Sequence, residues 1–305
     1  RQALAGIISP QAAGAAAPLL SVRSTTAEEL SHQLSGVSGD ALAIARDEDY
    51  WRAVQGAFTV DRSIVNLNNA GVSPSPRVVQ EGMTRQLGRA GSIPPPIALW
   101  REGRPLREAV RGQLAAMCGA SAEEIAITRN TTESLHICQH GFDLAKGDEV
   151  LASDQDYPRM LNAFRQRERR HGVRLVTVRL PVPVVHPREV VRRYEESITP
   201  RTRLILVSHM VNLTGEVMPV REICSVGARS SIPVLVDGAH AIGQLPVNLA
   251  ELGCSYYGSS LHKWLFAPLG TGMLFVHRDR NEQLWPLFAE NPGQQSDIRK
   301  FDESG

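Results

Sequence analysis

The sequence predicts an α/β protein whose mostly parallel sheet is covered by helices on both faces. Three observations carry that expectation: short aliphatic runs ending in polar residues, amphipathic stretches of helical period between them, and regular alternation of the two from residue 101 onward. Alternation of this kind requires crossover helices between parallel strands, and a parallel sheet must be covered on both sides. A chain of 305 residues can supply one large domain and smaller pieces.

The first 24 residues include RQALAGIISPQAAGAAAPLL, an alanine-rich apolar run too broken by Pro and Gly to span a bilayer. It reads either as a cropped export signal of the twin-arginine kind or as an N-terminal arm, which leaves export and a cytoplasmic location both open. Residues 25–65 are expected to be a helical segment: TTAEEL offers a capping box, and GDALAIARDEDYWRAVQGAF repeats apolar residues at helical spacing. IVNLNNAGVSPSP reads as a short strand and then a Gly/Pro/Asn loop, and SIPPPIALW as a rigid Pro-rich connection. Next, EIAIT leads into a helix starting near TTESL, and DEVLAS into PRMLNAFRQRERR. VRLVTVRL is followed by helical PREVVRRYEES, RLILVS by a loop and VREICSVGARS, and PVLVD by a loop and further helical residues. MLFV, after Gly270-Thr271-Gly272, is strand-like.

Composition excludes several function classes. The 33 Lys+Arg and 32 Asp+Glu leave a formal charge of +1, which argues against a nucleic-acid partner. The arginines of RQRERRHG, residues 165–172, read as a solvated helix end. Cys118, Cys138, Cys224 and Cys254 are scattered and read as buried thiols; no metal-ligand spacing occurs. The commonest zinc-hydrolase and NTPase signatures are absent, and Gly270-Thr271-Gly272 precedes a strand where a dinucleotide fingerprint would precede a helix.

The polar residues that stand out follow the strands: Thr131 and Thr132, Asp154 and Tyr157, His209 and Asn212, Asp237 and His240. In an open parallel sheet such ends share one edge, where ligands bind. Lys263, in the apolar stretch SSLHKWLFAPLGTG, has two readings. Its stem packs while the amine snorkels to water, or it is a Schiff-base lysine that a desolvating site keeps deprotonatable. Asp237, ending a hydrophobic strand, either caps the next helix or pairs with a cationic ring nitrogen that would relieve its burial. Thr131 and Thr132 open a helix and so suit a phosphate, with Ser260 and His262 as a second, distant wall of that pocket.

VDGAHAIGQ and SSLHKWLFAPLGTG, preceded by ITRNTTES and SHMVNLTGEVMPV, resemble the class V aminotransferase family of fold-type I pyridoxal-phosphate (PLP) enzymes. Within it the likeness is to the isopenicillin N epimerase-like branch, related to the cysteine desulfurases, and runs from about Asn66 to the C-terminus. The resemblance implies a three-layer α/β/α large domain over residues 66–280, with 281–305 as the start of a small C-terminal domain that is largely missing. It further implies that Lys263 holds the PLP aldehyde and moves the Cα proton, while Asp237 pairs with the pyridine nitrogen. His240, where desulfurases usually have Gln, and Asn212 would address the phenolic oxygen, and Tyr157 would cover the ring face. Thr131, Thr132, Ser260 and His262 would hold the phosphate. Asn68, Asn69 and Gly71 are expected on the substrate side, the substrate is an amino acid, and a homodimer is expected. Epimerisation leads, with cysteine desulfurase or C–S lyase chemistry, transamination, and non-catalytic PLP binding as alternatives.

Overall fold

The computed structural model describes residues 40–302 together with His32. The export-signal reading and the TTAEEL capping box lie outside the described residues. The chain forms two compact units, residues 1–113 with 265–269, and residues 114–264 with 270–305.

In the first unit, where a helical segment was expected over residues 25–65, the described residues form α1 (Ala41–Ala45) and α2 (Glu48–Gly56). Asp47 divides them: its carboxylate accepts from Asp49 N at 2.9 Å and Tyr50 N at 3.1 Å, which restarts the helix. No strand forms at Ile64-Val65; both side chains are exposed and no second strand pairs with them. α3 (Arg77–Ser92) follows. The Pro-rich stretch is not a plain connection, because Pro95 and Pro96 open a π-helical segment (Pro96–Gly103) that runs into α4 (Arg104–Cys118). Residues 265–269 belong to this unit: Ser75 Oγ donates to Ala267 O at 3.1 Å, and the Phe58 and Phe266 rings meet edge to face.

The second unit is built on seven strands: β1 (Ile125–Thr128), β2 (Glu149–Ser153), β3 (Arg174–Val178), β4 (Thr202–Ser208), β5 (Val234–Asp237), β6 (Tyr256–Ser260) and β7 (Gly272–Val276). Their order is β1-β7-β6-β5-β4-β2-β3. β3, β2, β4, β5 and β6 pair in parallel, whereas β7 lies antiparallel between β6 and β1. The crossovers are α5 (Thr131–Gly141), α6 (Pro158–His171), α7 (Pro187–Glu196), α8 (Val220–Arg229) and the short α9 (Leu249–Leu252). α5 packs with α6, and α8 with α7 and α9. Val150, Leu206, Leu235, Tyr256 and Leu274 carry the core through the sheet, and all are fully buried.

One strand forms where none was expected, and the reading of RQRERRHG as a solvated helix end needs correction. YYGSS forms the buried strand β6, although it lacks the aliphatic run that marks its neighbours. Arg167 is not part of a solvated face; it is buried and donates to Gln139 O at 2.7 Å and Phe142 O at 2.8 Å, satisfying carbonyls at the end of α5. All four cysteines are buried and free, and burial pushes the Cys118 thiol up to about 12. Among the described residues no metal-ligating cluster occurs, and no helix is long and apolar enough to cross a membrane.

Candidate active site

Strand direction brings distant residues together. Two antiparallel steps, β1 to β7 and β7 to β6, return β1 to the direction of β6. The C-terminal ends of β1, β2, β4, β5 and β6 therefore share one edge of the sheet. Thr128 and Ser260 both register against Gly272. A Cβ on Gly272 would stand 2.6 Å from Asn130 N, so only glycine lets the backbone entering α5 pass so close.

At that crossing Asn130 caps α5, accepting from Glu133 N at 2.8 Å. Thr131, the first helical residue, donates its N–H to Ser260 Oγ at 2.9 Å, and the two hydroxyls are 2.7 Å apart. Both are buried, and Thr132 beside them is half-buried. Two hydroxyls thus meet at the positive end of a helix dipole, a setting that favours an anion. His262 is buried, and its Nδ1–H donates to the Thr271 carbonyl at 3.0 Å. A carbonyl can only accept, so in the neutral ring Nε2 carries the lone pair. Burial lowers the His262 pKa, opposed by its bond to Thr271.

Asp237 ends β5 and is 5% exposed. It accepts from Ala239 N at 3.0 Å, yet burial pushes its carboxyl up to about 6, with the charge of Asp156 adding to the rise and Lys263 opposing it. A cation placed against Asp237 would restore its ionised form. Gly238 follows, and a Cβ there would lie 2.0 Å from Tyr257 Cε1. Tyr257 Oη in turn pairs with His209 Nδ1 at 3.0 Å. Burial lowers His209 to about 4, so the ring is neutral at physiological pH.

Lys263 follows β6 in the turn that leads toward β7. Burial lowers its pKa, with Asp237 opposing. Its Nζ lies 3.4 Å from His240 Nε2, and the other nitrogen of that ring, Nδ1, accepts from Trp264 Nε1 at 3.2 Å. Burial and the Lys263 charge hold His240 down at about 4. Such a lysine can be a neutral nucleophile at a higher fraction than an exposed one.

The structure therefore gathers Thr131, Ser260 and His262 with Lys263 on neighbouring turns, and Asp237 and His240 beside the lysine. Tyr157 stands exposed just before α6, and Asn212 lies exposed in the turn between Met210 and Val217. Neither makes a hydrogen bond to Lys263, Asp237 or His240 among the described residues. Asn68, Asn69 and Gly71 belong to the first unit, where Asn66 Nδ2 donates to Asn69 Oδ1 at 2.8 Å and Asn68 N to Asn66 Oδ1 at 2.9 Å, an Asx-type turn.

Sequence reasoning missed Asp156. This buried carboxylate accepts from Ser153 N and Ser208 N, both at 2.7 Å, and from both serine hydroxyls, tying the end of β2 to that of β4. The signal was present: EVLAS and LILVS both end in Ser, a donor pair awaiting an acceptor.

The chain belongs to the aminotransferase class-V family, whose model matches residues 65–294. It is 34% identical over 236 residues to isopenicillin N epimerase of Streptomyces clavuligerus, covering 77% of this chain and 59% of that one. It is 32% identical over 231 residues to a probable cysteine desulfurase of Methanothermobacter thermautotrophicus, covering 74% of this chain and 56% of that protein. Among solved structures it is similar to a lysine-to-alanine mutant of C-DES with glycine covalently linked to the PLP cofactor, with a TM-score of 0.74 at 26% identity over 82% of this chain and 68% of that one. The seven-stranded sheet is thus that of the fold-type I PLP enzymes, and the chain spans 59% and 56% of the length of the two curated relatives named. The site fits the family's cofactor. It offers a half-buried amine of lowered pKa for an aldehyde, a buried carboxylate of raised pKa for a cationic ring nitrogen, and a helix N-terminus with two hydroxyls for a phosphate.

Proposed function

We propose that this chain binds PLP at Lys263 and that the protein acts at the Cα of an amino acid, in the manner of the isopenicillin N epimerases it resembles. The observation that carries this reading is the desolvated Lys263 amine, coupled to Asp237 and 3.4 Å from His240 Nε2. When bound, PLP supplies an aldehyde and an electron sink.

The residues then divide the work. Lys263 would hold the PLP aldehyde through Nζ, and the same amine would carry the Cα proton of the substrate. Asp237 would hold a proton at the pyridine nitrogen, where an ion pair would offset the cost of its burial. His240 and Asn212 would address the phenolic oxygen, and Tyr157 would cover one face of the ring. Thr131, Thr132, Ser260 and His262 bind the phosphate. Asn68, Asn69 and Gly71 are proposed on the substrate side, and a homodimer is proposed as the assembly.

A proton returned to the opposite face gives epimerisation; expulsion of a sulfur substituent gives desulfurase or C–S lyase chemistry, which the likeness to a probable cysteine desulfurase favours as the second reading. Transamination and non-catalytic PLP binding are the remaining alternatives. The test is to load the protein with PLP and follow α-deuterated amino acids by NMR. Exchange with inversion supports the epimerase, released sulfide supports the lyase, and an oxo acid supports transamination. Bound PLP with no exchange from any amino acid would leave only the binder.

A further inference from the structure

The indole of Trp264 is joined to the site by a hydrogen bond whose direction is fixed by chemistry. Indole N–H can only donate, so His240 Nδ1, at 3.2 Å, must accept. A proton on Nδ1 would set two donors against each other. The neutral imidazole therefore carries its proton on Nε2, the nitrogen that faces Lys263 Nζ at 3.4 Å. That separation is long for a hydrogen bond, as is common before an active site is fully assembled. An ammonium there would meet an N–H; a neutral amine would meet it with a lone pair.

We propose that Trp264 is a positioning residue for the lysine: its indole N–H locks His240 in the Nε2–H tautomer, so that the ring offers Lys263 a donor that only the neutral, nucleophilic amine can accept. This rests on the reading of Lys263 as the PLP-binding lysine. The same Nε2–H suits an acceptor such as the phenolic oxygen of the cofactor. The sequence makes the two positions neighbours of different kinds, since Trp264 follows the lysine directly while His240 comes from the turn after β5.

Other groups press on the pair in known directions. Asp237 favours the charged amine, Asp156 acts on Asp237 with like charge, and a charged Lys263 disfavours protonation of both His240 and His262. The tautomer lock opposes Asp237 at the amine. Without the indole donor, His240 can move its proton to Nδ1, and Nε2 then accepts from an ammonium.

The chain has three lysines, Lys146, Lys263 and Lys300, which makes the test direct. The protein without added PLP is acetylated competitively across a pH series, and each lysine is read by mass spectrometry, with exposed Lys146 as internal reference. In Trp264→Phe the labelling midpoint of Lys263 is expected to rise by about one pH unit while that of Lys146 stays put. An unmoved Lys263 midpoint would overturn the proposal. A second measurement needs no variant: 15N NMR of His240 in the unmodified protein should show a protonated Nε2 and an unprotonated Nδ1, and the reverse tautomer would overturn it equally. Neither measurement contains PLP, so a chain that fails to bind PLP at Lys263 would defeat the cofactor reading and leave this result readable.

Discussion

Ser260 is the residue on which two distant segments close. Its hydroxyl lies between the Thr131 N–H and the Thr131 hydroxyl, so it holds the start of α5 against the end of β6 while keeping an oxygen at the helix N-terminus. A phosphate bound there would take one of its hydrogen bonds from this group. Ser260→Ala is therefore expected to weaken PLP binding about tenfold, the worth of one hydrogen bond to a charged group. Pyridoxal, which has no phosphate, should bind the variant and the unmodified protein alike. Fluorescence titration with both compounds checks this, and an equal loss for both would remove the phosphate assignment. The residues legible from sequence were those of unusual type for their position: a lysine and an aspartate in apolar runs, and two threonines at a helix start. Asp156 escaped because Asp154 and Tyr157 flank it with equally polar side chains, and only folding shows which of the three turns inward.

At the scale of elements, the turn Asp237-Gly238-Ala239 shows how tightly the site is held. The Tyr257 ring occupies the space a side chain at 238 would need, and Tyr257 is itself anchored to His209. Gly238→Ala is expected to cost about 1–3 kcal/mol of stability through overpacking and to weaken PLP binding as Asp237 shifts. Urea unfolding checks the first, and an unchanged midpoint would show that the ring can move aside. Five of the seven strands were legible as whole strand-to-helix units because their aliphatic runs are short and end in polar residues, and MLFV was legible as strand-like. β6 was not, because Tyr, Gly and Ser bury themselves there through packing on α5 and the hydrogen bond from Ser259 Oγ to Gly238 O, neither of which periodicity records. The Ile64-Val65 run misled for the opposite reason: it has the residues of a strand and no partner to pair with.

For the whole molecule, the α/β reading followed from alternation alone, whereas the antiparallel placement of β7 did not, since a strand's direction depends on the length and path of the turn before it. That turn carries Lys263, so sheet topology and site arise from the same stretch of chain. Under the proposed function this lysine, and neither Lys146 nor Lys300, holds PLP. Incubation with PLP, reduction with borohydride and peptide mapping decide this. The expected result is one phosphopyridoxyl adduct on the peptide containing Lys263, lost in Lys263→Ala together with the near-visible absorbance of the bound cofactor. Adduct spread over Lys146 and Lys300, or absorbance that survives Lys263→Ala, would contradict it.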